Sequence, residues 1–295
     1  MNIVVTGSLG NISKPLTIDL VQKGHSVTVI SSNPAKQKDI EALGAKAAIG
    51  TLADVGFLTA TFSHADVVYC MTPPNYTAPD MLAYYRKTGD DYAQAIHQAG
   101  VKRVIYLSSY GAHLDKGTGL ILGSHHVEER LNALPDTDVT HMRPTYFYYN
   151  LYAFVDMIKA AGVMAANYGG DDKIVMVSPK DIAAAIAEEI DAPTAGRHVR
   201  YVASDERTGN EIARVLGAAI GKPELQWDVI TDEAMKAGLE AHGVPVHIAA
   251  PMVEMLAGIH NGTLAADYYR SGAALTGKVK LEDFAQDFAA AFQEK

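Results

Sequence analysis

The chain has 295 residues, 48% of them hydrophobic, and a formal net charge of −9. That length and composition bury one large core or two coupled ones, which excludes fibrous and disordered classes. No Lys/Arg block interrupts the acidic balance, so nothing in the charge pattern suits a nucleic-acid backbone.

The longest apolar runs are strand-length, well short of the roughly 20 residues a membrane span requires. Met1-Asn2 leads straight into the apolar run Ile3-Val4-Val5 with no basic n-region. Cys70 is the sole cysteine, so no intrachain disulfide forms. These features place the protein in the cytoplasm, without nucleic-acid or membrane partners.

Strands are predicted at residues 2–6, 27–30, 46–49, 66–70, 103–107 and 138–142, each followed by a segment long enough for a crossover helix. The strand runs are continuously apolar, as in Asp66-Val67-Val68-Tyr69-Cys70 and Arg103-Val104-Ile105-Tyr106-Leu107. A sheet covered on both faces requires that pattern. Further along, Ser178-Pro179-Lys180-Asp181 opens a helix carrying Ile182, Ile186 and Ile190 on one face, with Asp181 placed to reach back to the cap. His198-Val199-Arg200-Tyr201-Val202 reads as another strand. Thr208-Gly209-Asn210-Glu211 is a second capping box, and its helix stops at Gly221-Lys222-Pro223. The last helix aligns Leu281, Phe284, Phe288 and Phe292 on a stripe that should dock onto the body.

The fold class expected is α/β, a doubly wound parallel sheet of Rossmann type with a smaller, mostly helical C-terminal lobe. Residues 1–150 form the dinucleotide-binding domain, completed by about 173–204, and residues 151–295 the lobe that meets substrate or partner. No linker separates the two.

The opening turn carries the first functional signal. Strand, then Gly7-Ser8-Leu9-Gly10-Asn11-Ile12-Ser13, then helix from Leu16 to Lys23 ended by Gly24, puts backbone N–H groups and a positive helix end where a pyrophosphate can sit. The spacing is Gly-x-x-Gly-x-x-Ser, which gains meaning from its place at the first strand of an alternating series. At the end of the second strand, an acidic residue would accept from the ribose hydroxyls of NAD and repel a 2′-phosphate. Here the chain reads Ile30-Ser31-Ser32-Asn33-Pro34-Ala35-Lys36, with no carboxylate. NADP(H) is therefore favoured over NAD(H), with Ser31, Ser32, Asn33 and Lys36 as candidates for the phosphate.

The chain resembles the NmrA-like atypical short-chain dehydrogenase/reductases over nearly its whole length. The opening through Lys14-Pro15-Leu16, Gly24-His25-x-Val27, Asn33-Pro34-x-Lys36 and Val101 to Ser109 carry the likeness. So does the run His126-Val127-Glu128-Glu129-x-Leu131, followed by Thr140-x-x-Arg143-Pro144-x-x-Phe147-x-x-Asn150. The resemblance implies a cofactor groove lined by Gly7, Ser8, Leu9, Gly10, Asn11 and Ile12, by Ser31 to Asn33, and by Thr51, Leu52, Met71, Thr72, Pro73, Ser108 and Pro144. It also implies a helical lobe forming a cleft against the Rossmann half.

Related dehydrogenases use a Tyr-x-x-x-Lys pair in which the lysine lowers the phenol's pKa so that it can act as a general acid. Those two places are held here by Ile121 and His125. Isoleucine carries no proton, and histidine is shorter and mostly neutral at physiological pH. His125 remains a candidate for the nicotinamide ribose and, with Ser109, Tyr110 and His113 after the fifth strand, for catalysis. Tyr110, Tyr146, Phe147 and Asn150 are candidates for substrate, in an aromatic cluster that also holds Tyr148, Tyr149 and Tyr152. No metal site is expected at His113, His125 and His126, because no carboxylate or cysteine joins them at ligand spacing. Cys70 reads as a buried, inert thiol.

Two functions follow. One is a reductase passing hydride from NADPH to a quinone or similar small electrophile, a reaction that tolerates the missing tyrosine because a reduced quinone oxygen is a far weaker base than an alkoxide. The other is a non-catalytic sensor that binds NADP(H) and signals to a partner protein.

Overall fold

The computed structural model describes residues 1–192 and 195–294. Seven strands make the main sheet: β1 (Asn2–Val5), β2 (Ser26–Ser31), β3 (Lys46–Ile49), β4 (Val67–Met71), β5 (Arg103–Leu107), β6 (Asp138–Pro144) and, much later in the chain, β10 (Arg197–Val202). Their order is β3-β2-β1-β4-β5-β6-β10. Every neighbouring pair is parallel. Successive strands are added outward on one side from β1 to β3 and on the other from β4 onward, and this switch between β1 and β4 opens a crevice at the carboxyl ends of the strands.

Alternation of side chains splits the sheet's apolar residues between its two faces. Ile3, Val5, Tyr69 and Ile105 face α1 (Ser13–Gln22), α2 (Gln37–Ala42) and α7 (Pro179–Asp191). Val4, Val68, Cys70, Val104 and Tyr106 face α3 (Val55–Phe62), α4 (Met81–Ala99) and α5 (Leu122–Asn132). Cys70 is fully buried, and burial pushes its thiol pKa up, the opposite of what a reactive cysteine needs. The expected doubly wound sheet is present, and its predicted strand ends fall within about two residues of the observed ones.

After β6 the chain builds the second layer. β7 (Tyr146–Phe147), β9 (Lys173–Val177) and β11 (Asp205–Thr208) form a small mixed sheet, and β8 (Met164–Ala166) pairs with β12 (Trp227–Val229). Helices α6 (Val155–Ala161), α8 (Gly209–Ala219), α9 (Asp232–Ala241), α10 (Val246–His260), α11 (Ala266–Arg270) and α12 (Leu281–Glu294) complete it. The expected span of 173–204 thus contains the seventh strand of the main sheet. Its first strand belongs to the small sheet instead, and Pro193 and Thr194 within it lie outside the described residues.

The stripe on α12 does dock. Leu281, Phe284 and Phe288 are buried, and the Phe284 ring stacks on Tyr148 at 5.2 Å between centroids. Thr208 and Glu211 form the reciprocal capping box expected. The cap at Ser178 is only half as expected: its hydroxyl accepts from the Lys180 N–H, but Asp181 does not reach back. Asp181 instead accepts from the Ser204 hydroxyl at 2.7 Å and the Val279 N–H at 3.0 Å, tying the approach to α12 onto the start of α7.

Candidate cofactor and substrate cleft

A single cleft of about 440 Å³ runs from the glycine turn to the second layer. At one end lie Gly7, Gly10, Asn11, Ile12 and Ser13. Gly7 has φ +86°, and a Cβ there would fall 2.7 Å from the Ser13 hydroxyl oxygen, so the turn can be this tight only with glycine. A Cβ on Gly10 would lie 3.1 Å from the Gly7 carbonyl. Helix α1 begins without any side-chain cap, so the positive end of its dipole faces the turn. Those features fit a pyrophosphate approaching bare backbone.

At the end of β2, the Ser8 hydroxyl donates to the Ser31 hydroxyl at 2.9 Å, and Ser31 also accepts from the Asn33 N–H at 3.2 Å. Asn33 caps the following turn by accepting from the Ala35 N–H. Ser32 is exposed, and Lys36 is paired with Asp39 at 3.2 Å on the surface. Ser8, Leu9, Ser31, Ser32, Asn33 and Lys36 thus do not line the cleft itself. The same holds for Thr51, Leu52 and Pro73, whereas Met71 and Thr72 do line it.

The fifth strand delivers Leu107, Ser108, Ser109 and Tyr110 to the middle of the cleft. Ser108 is held from behind. Its hydroxyl donates to Glu128 on α5, and Arg143 on β6 grips the same carboxylate with Nε at 2.9 Å and Nη2 at 2.6 Å. Burial alone would raise the Glu128 carboxyl, but the Arg143 hydrogen bonds, the nearby His141 and the Ser108 hydroxyl outweigh it and hold the carboxyl below the usual range. Burial likewise opposes the Arg143 charge, and Glu128 more than restores it. Behind Arg143, Tyr201 and Asp267 extend the network, and the Tyr201 phenol is pushed up to about 12, chiefly by burial. Pro144 accepts from the Tyr110 N–H and so fixes the loop, while its neighbour Thr145 lines the cleft.

The two places of the Tyr-x-x-x-Lys pair diverge. Ile121 lines the cleft. His125 does not: its Nδ1 lies 2.9 Å from the Ala112 carbonyl oxygen and its Nε2 is turned toward Glu129 at 3.7 Å. One turn of helix separates the two, and the residue that reaches the cleft from α5 is Ser124, which sequence reasoning passed over. His113 is also outside the lining, with a buried Nδ1 that has no partner and a pKa lowered mainly by burial. Of the catalytic candidates, Ser109 and Tyr110 are in the cleft, and His113 and His125 stand behind its wall.

A carboxylate does join two of the histidines. Ring nitrogens of His125 and His126 and an oxygen of Glu129 lie within 4.8 Å of one another. Arg86 Nη2, however, lies 3.0 Å from His126 Nε2, so that nitrogen accepts and Nδ1, the atom facing Glu129, carries the proton. The imidazole has no lone pair to offer there.

The far wall comes from the second layer and from α4. Tyr146, Phe147, Tyr149 and Asn150 line it, while Tyr148 and Tyr152 turn into the core around α12. Tyr146 is tied to Tyr168 hydroxyl to hydroxyl at 2.8 Å. Opposite them stand Tyr76, Met81 and Tyr85, and α10 contributes Met252, Met255, Leu256 and Ile259. The spacing of those four, at i, i+3, i+4 and i+7, was legible as an apolar helical face, but nothing in the sequence said what it faces. Gly119 fixes the position of α10: it has φ +52°, and a Cβ on it would fall 1.8 Å from the Pro251 carbonyl oxygen. The hydroxyls of Tyr69, Thr72 and Tyr106, all on lining residues, are buried without a partner. They sit behind the cleft surface, Tyr69 near Ser13 and Tyr106 near Thr72 and Ser124.

Among the described residues, no helix is long and apolar enough to cross a membrane. The chain is similar to an NAD(P)H azoreductase of Xenophilus azovorans, 26% identical over 300 residues that cover 98% of this chain and 99% of the relative. Its fold is that of an NADPH-dependent quinone oxidoreductase from Escherichia coli solved with NADPH (TM-score 0.80, 22% identity, 97% of this chain and 99% of that one). The triphenylmethane reductase of Citrobacter sp. solved with NADP(H) shares it too (TM-score 0.76, 19% identity, 97% and 99% coverage). The NmrA-like family matches residues 1–268, and the chain belongs to that family.

Proposed function

We propose that the protein is an NADPH-dependent oxidoreductase that reduces a quinone or a similar small, flat electrophile. The observation that carries the reading is that one cleft joins the glycine turn to an aromatic and methionine wall, so that a dinucleotide and a flat acceptor can meet inside it. Two of the proteins it resembles are named as an NAD(P)H azoreductase and an NADPH-dependent quinone oxidoreductase, which supports the same reading.

Residues 1–150, completed by α7 and β10, supply the cofactor half. The turn from Gly7 to Ile12 receives the pyrophosphate on backbone N–H groups. Ser8, Ser31, Ser32, Asn33 and Lys36 surround the adenosine ribose, where the absence of a carboxylate at the end of β2 admits a 2′-phosphate. Bound NADPH supplies a hydride, two electrons with one hydrogen nucleus, and leaves as NADP⁺.

The chain's own residues position and exclude. Ile121 offers no proton, and the tyrosines around the acceptor are neutral phenols whose pKa values burial raises further, as at Tyr85, Tyr106 and Tyr149. The second hydrogen that converts a quinone to a hydroquinone comes from solvent, since a hydroquinone oxygen is a weak enough base to need no built acid. Ser108 has committed its proton to Glu128, so its oxygen offers lone pairs to the cleft and orients a donor such as a carboxamide N–H. We place the reaction in the cytoplasm.

The test is NADPH consumption with a panel of small quinones. Quinone-dependent oxidation well above the buffer rate is expected. Tight NADPH binding with consumption at the buffer rate for every acceptor would reject a reductase in favour of a sensor.

A further inference from the structure

Among the described residues, the cleft is lined without a single Asp, Glu, Lys, Arg or His. For a cleft of about 440 Å³ that must also admit a polyanionic cofactor, this is unusual, because each lining side chain is neutral at any physiological pH. The charges nearest to Ser108 are already spent on each other: Glu128 and Arg143 are buried and paired through two hydrogen bonds. What the cleft offers is aromatic surface from Tyr76, Tyr85 and Tyr149, thioethers from Met252 and Met255, and the part-exposed hydroxyls of Ser109 and Ser124. Such hydroxyls can donate to a carbonyl or azo nitrogen but cannot neutralise a full charge.

Resting on the reductase reading, we propose that this cleft selects electrophiles that carry no formal charge and rejects both anionic and cationic analogues of the same ring. A sulfonate or a quaternary ammonium entering it would leave its hydration behind and find no countercharge. The desolvation of an unpaired ion is large enough that discrimination of about a hundredfold or more in kcat/KM follows. Both signs have to be rejected for the lining to be the cause. The protein's net charge of −9 repels anions at long range but attracts cations, so exclusion of a cation cannot come from the overall field.

The experiment compares a neutral naphthoquinone with its sulfonated and its trimethylammonium-bearing derivatives, using the full chain with saturating NADPH. Both substituents make the ring more electron-poor and hence a better hydride acceptor, so a fall in kcat/KM reports exclusion and not reactivity. Binding of each quinone to the complex with tetrahydro-NADP, whose nicotinamide ring is neutral and gives up no hydride, is measured alongside by calorimetry, which reads selectivity even without turnover. Expected is a drop of about a hundredfold or more for each charged compound in affinity or kcat/KM. Met255→Arg, which places a cation on the wall, should restore the sulfonated compound by about tenfold or more while leaving the ammonium compound excluded. Charged and neutral quinones within about threefold of one another would overturn the selectivity and leave the reductase reading standing. Selective binding of the neutral compound with no NADPH consumption would sink the reductase reading and leave the selectivity intact.

Discussion

Replacing Arg143 by methionine removes the cation that satisfies Glu128 while leaving the carboxylate where it is. Both side chains are almost wholly inside, 7% and 6% exposed, and the carboxylate would keep only the Ser108 hydroxyl as a bonded partner. Breaking a buried pair from one side costs about 3–5 kcal/mol, a large share of the roughly 5–15 kcal/mol of an ordinary domain. Replacing both partners, as Glu128→Leu with Arg143→Met, removes the stranded charge. It leaves Ser108 and Tyr201 each short of about one hydrogen bond, near 1 kcal/mol apiece, while Asp267 keeps Tyr201 and Arg270 as partners, so the double variant should recover about 2 kcal/mol of the single loss. Urea denaturation of the four proteins completes the cycle.

The sign of the pH dependence provides an independent check. In the wild type the folded Glu128 pKa is depressed, so its stabilisation is present above the unfolded value of about 4.3 and is lost as pH falls through the folded value. In Arg143→Met, burial is opposed only by His141 and the Ser108 hydroxyl, so the folded Glu128 pKa rises from its wild-type value. The variant therefore loses least at acid pH, where Glu128 is protonated, and most at alkaline pH. A single-variant loss below about 1 kcal/mol, or a double variant worse than the single, would refute the assignment of Glu128 and Arg143 as one buried unit.

Gly10→Asp should abolish dinucleotide binding with the far-UV circular dichroism unchanged, because a Cβ and a carboxylate would occupy the approach to the pyrophosphate and already crowd the Gly7 carbonyl. Wild-type affinity by calorimetry would contradict it. Ser32→Asp should move the NADPH/NADH affinity ratio toward NADH, since a carboxylate there repels the 2′-phosphate; an unmoved ratio means that Ser32 does not face the ribose. Gly119→Ala should push α10 off its seat, costing about 1–3 kcal/mol from the positive φ alone and raising the quinone KM. His125→Ala removes the bond to the Ala112 carbonyl, about 0.5–1.5 kcal/mol, and should weaken NADPH no more than roughly tenfold through the loop after β5. A rate loss of about two orders of magnitude or more in that variant would instead make His125 a proton donor.

The strands and their order were legible because a parallel sheet covered on both faces writes its strands as short continuous apolar runs, and Val67 to Cys70 or Val104 to Leu107 can be little else. The glycine turn was legible because only glycine tolerates φ +86° at Gly7 with Ser13 so close. Site residues contributed by distant segments were not. Tyr85 on α4 and Met252, Met255 and Leu256 on α10 carry ordinary amphipathic spacing, and it is tertiary contacts such as Gly119 against Pro251 that bring α10 to the cleft. His125 misled for a local reason. The residue four positions from Ile121 was expected to share its face, yet Ile121 ends a 3-10 turn, in which residues three apart align, so Ser124 and not His125 faces the cleft. Asp181 misled similarly, because a carboxylate three residues after a cap serves the cap only when no stronger partner is near, and Ser204 and Val279 are nearer.

The central claim is tested most directly by one anaerobic single turnover. The protein is loaded with one equivalent of NADPH and mixed with an excess of a neutral naphthoquinone, and the reduced-nicotinamide absorbance is followed beside a Gly10→Asp control. The account predicts that the absorbance disappears completely with the wild type, with one hydroquinone formed per NADPH, and falls only at the buffer rate with the control. Bound NADPH whose absorbance persists in the presence of the quinone would contradict it.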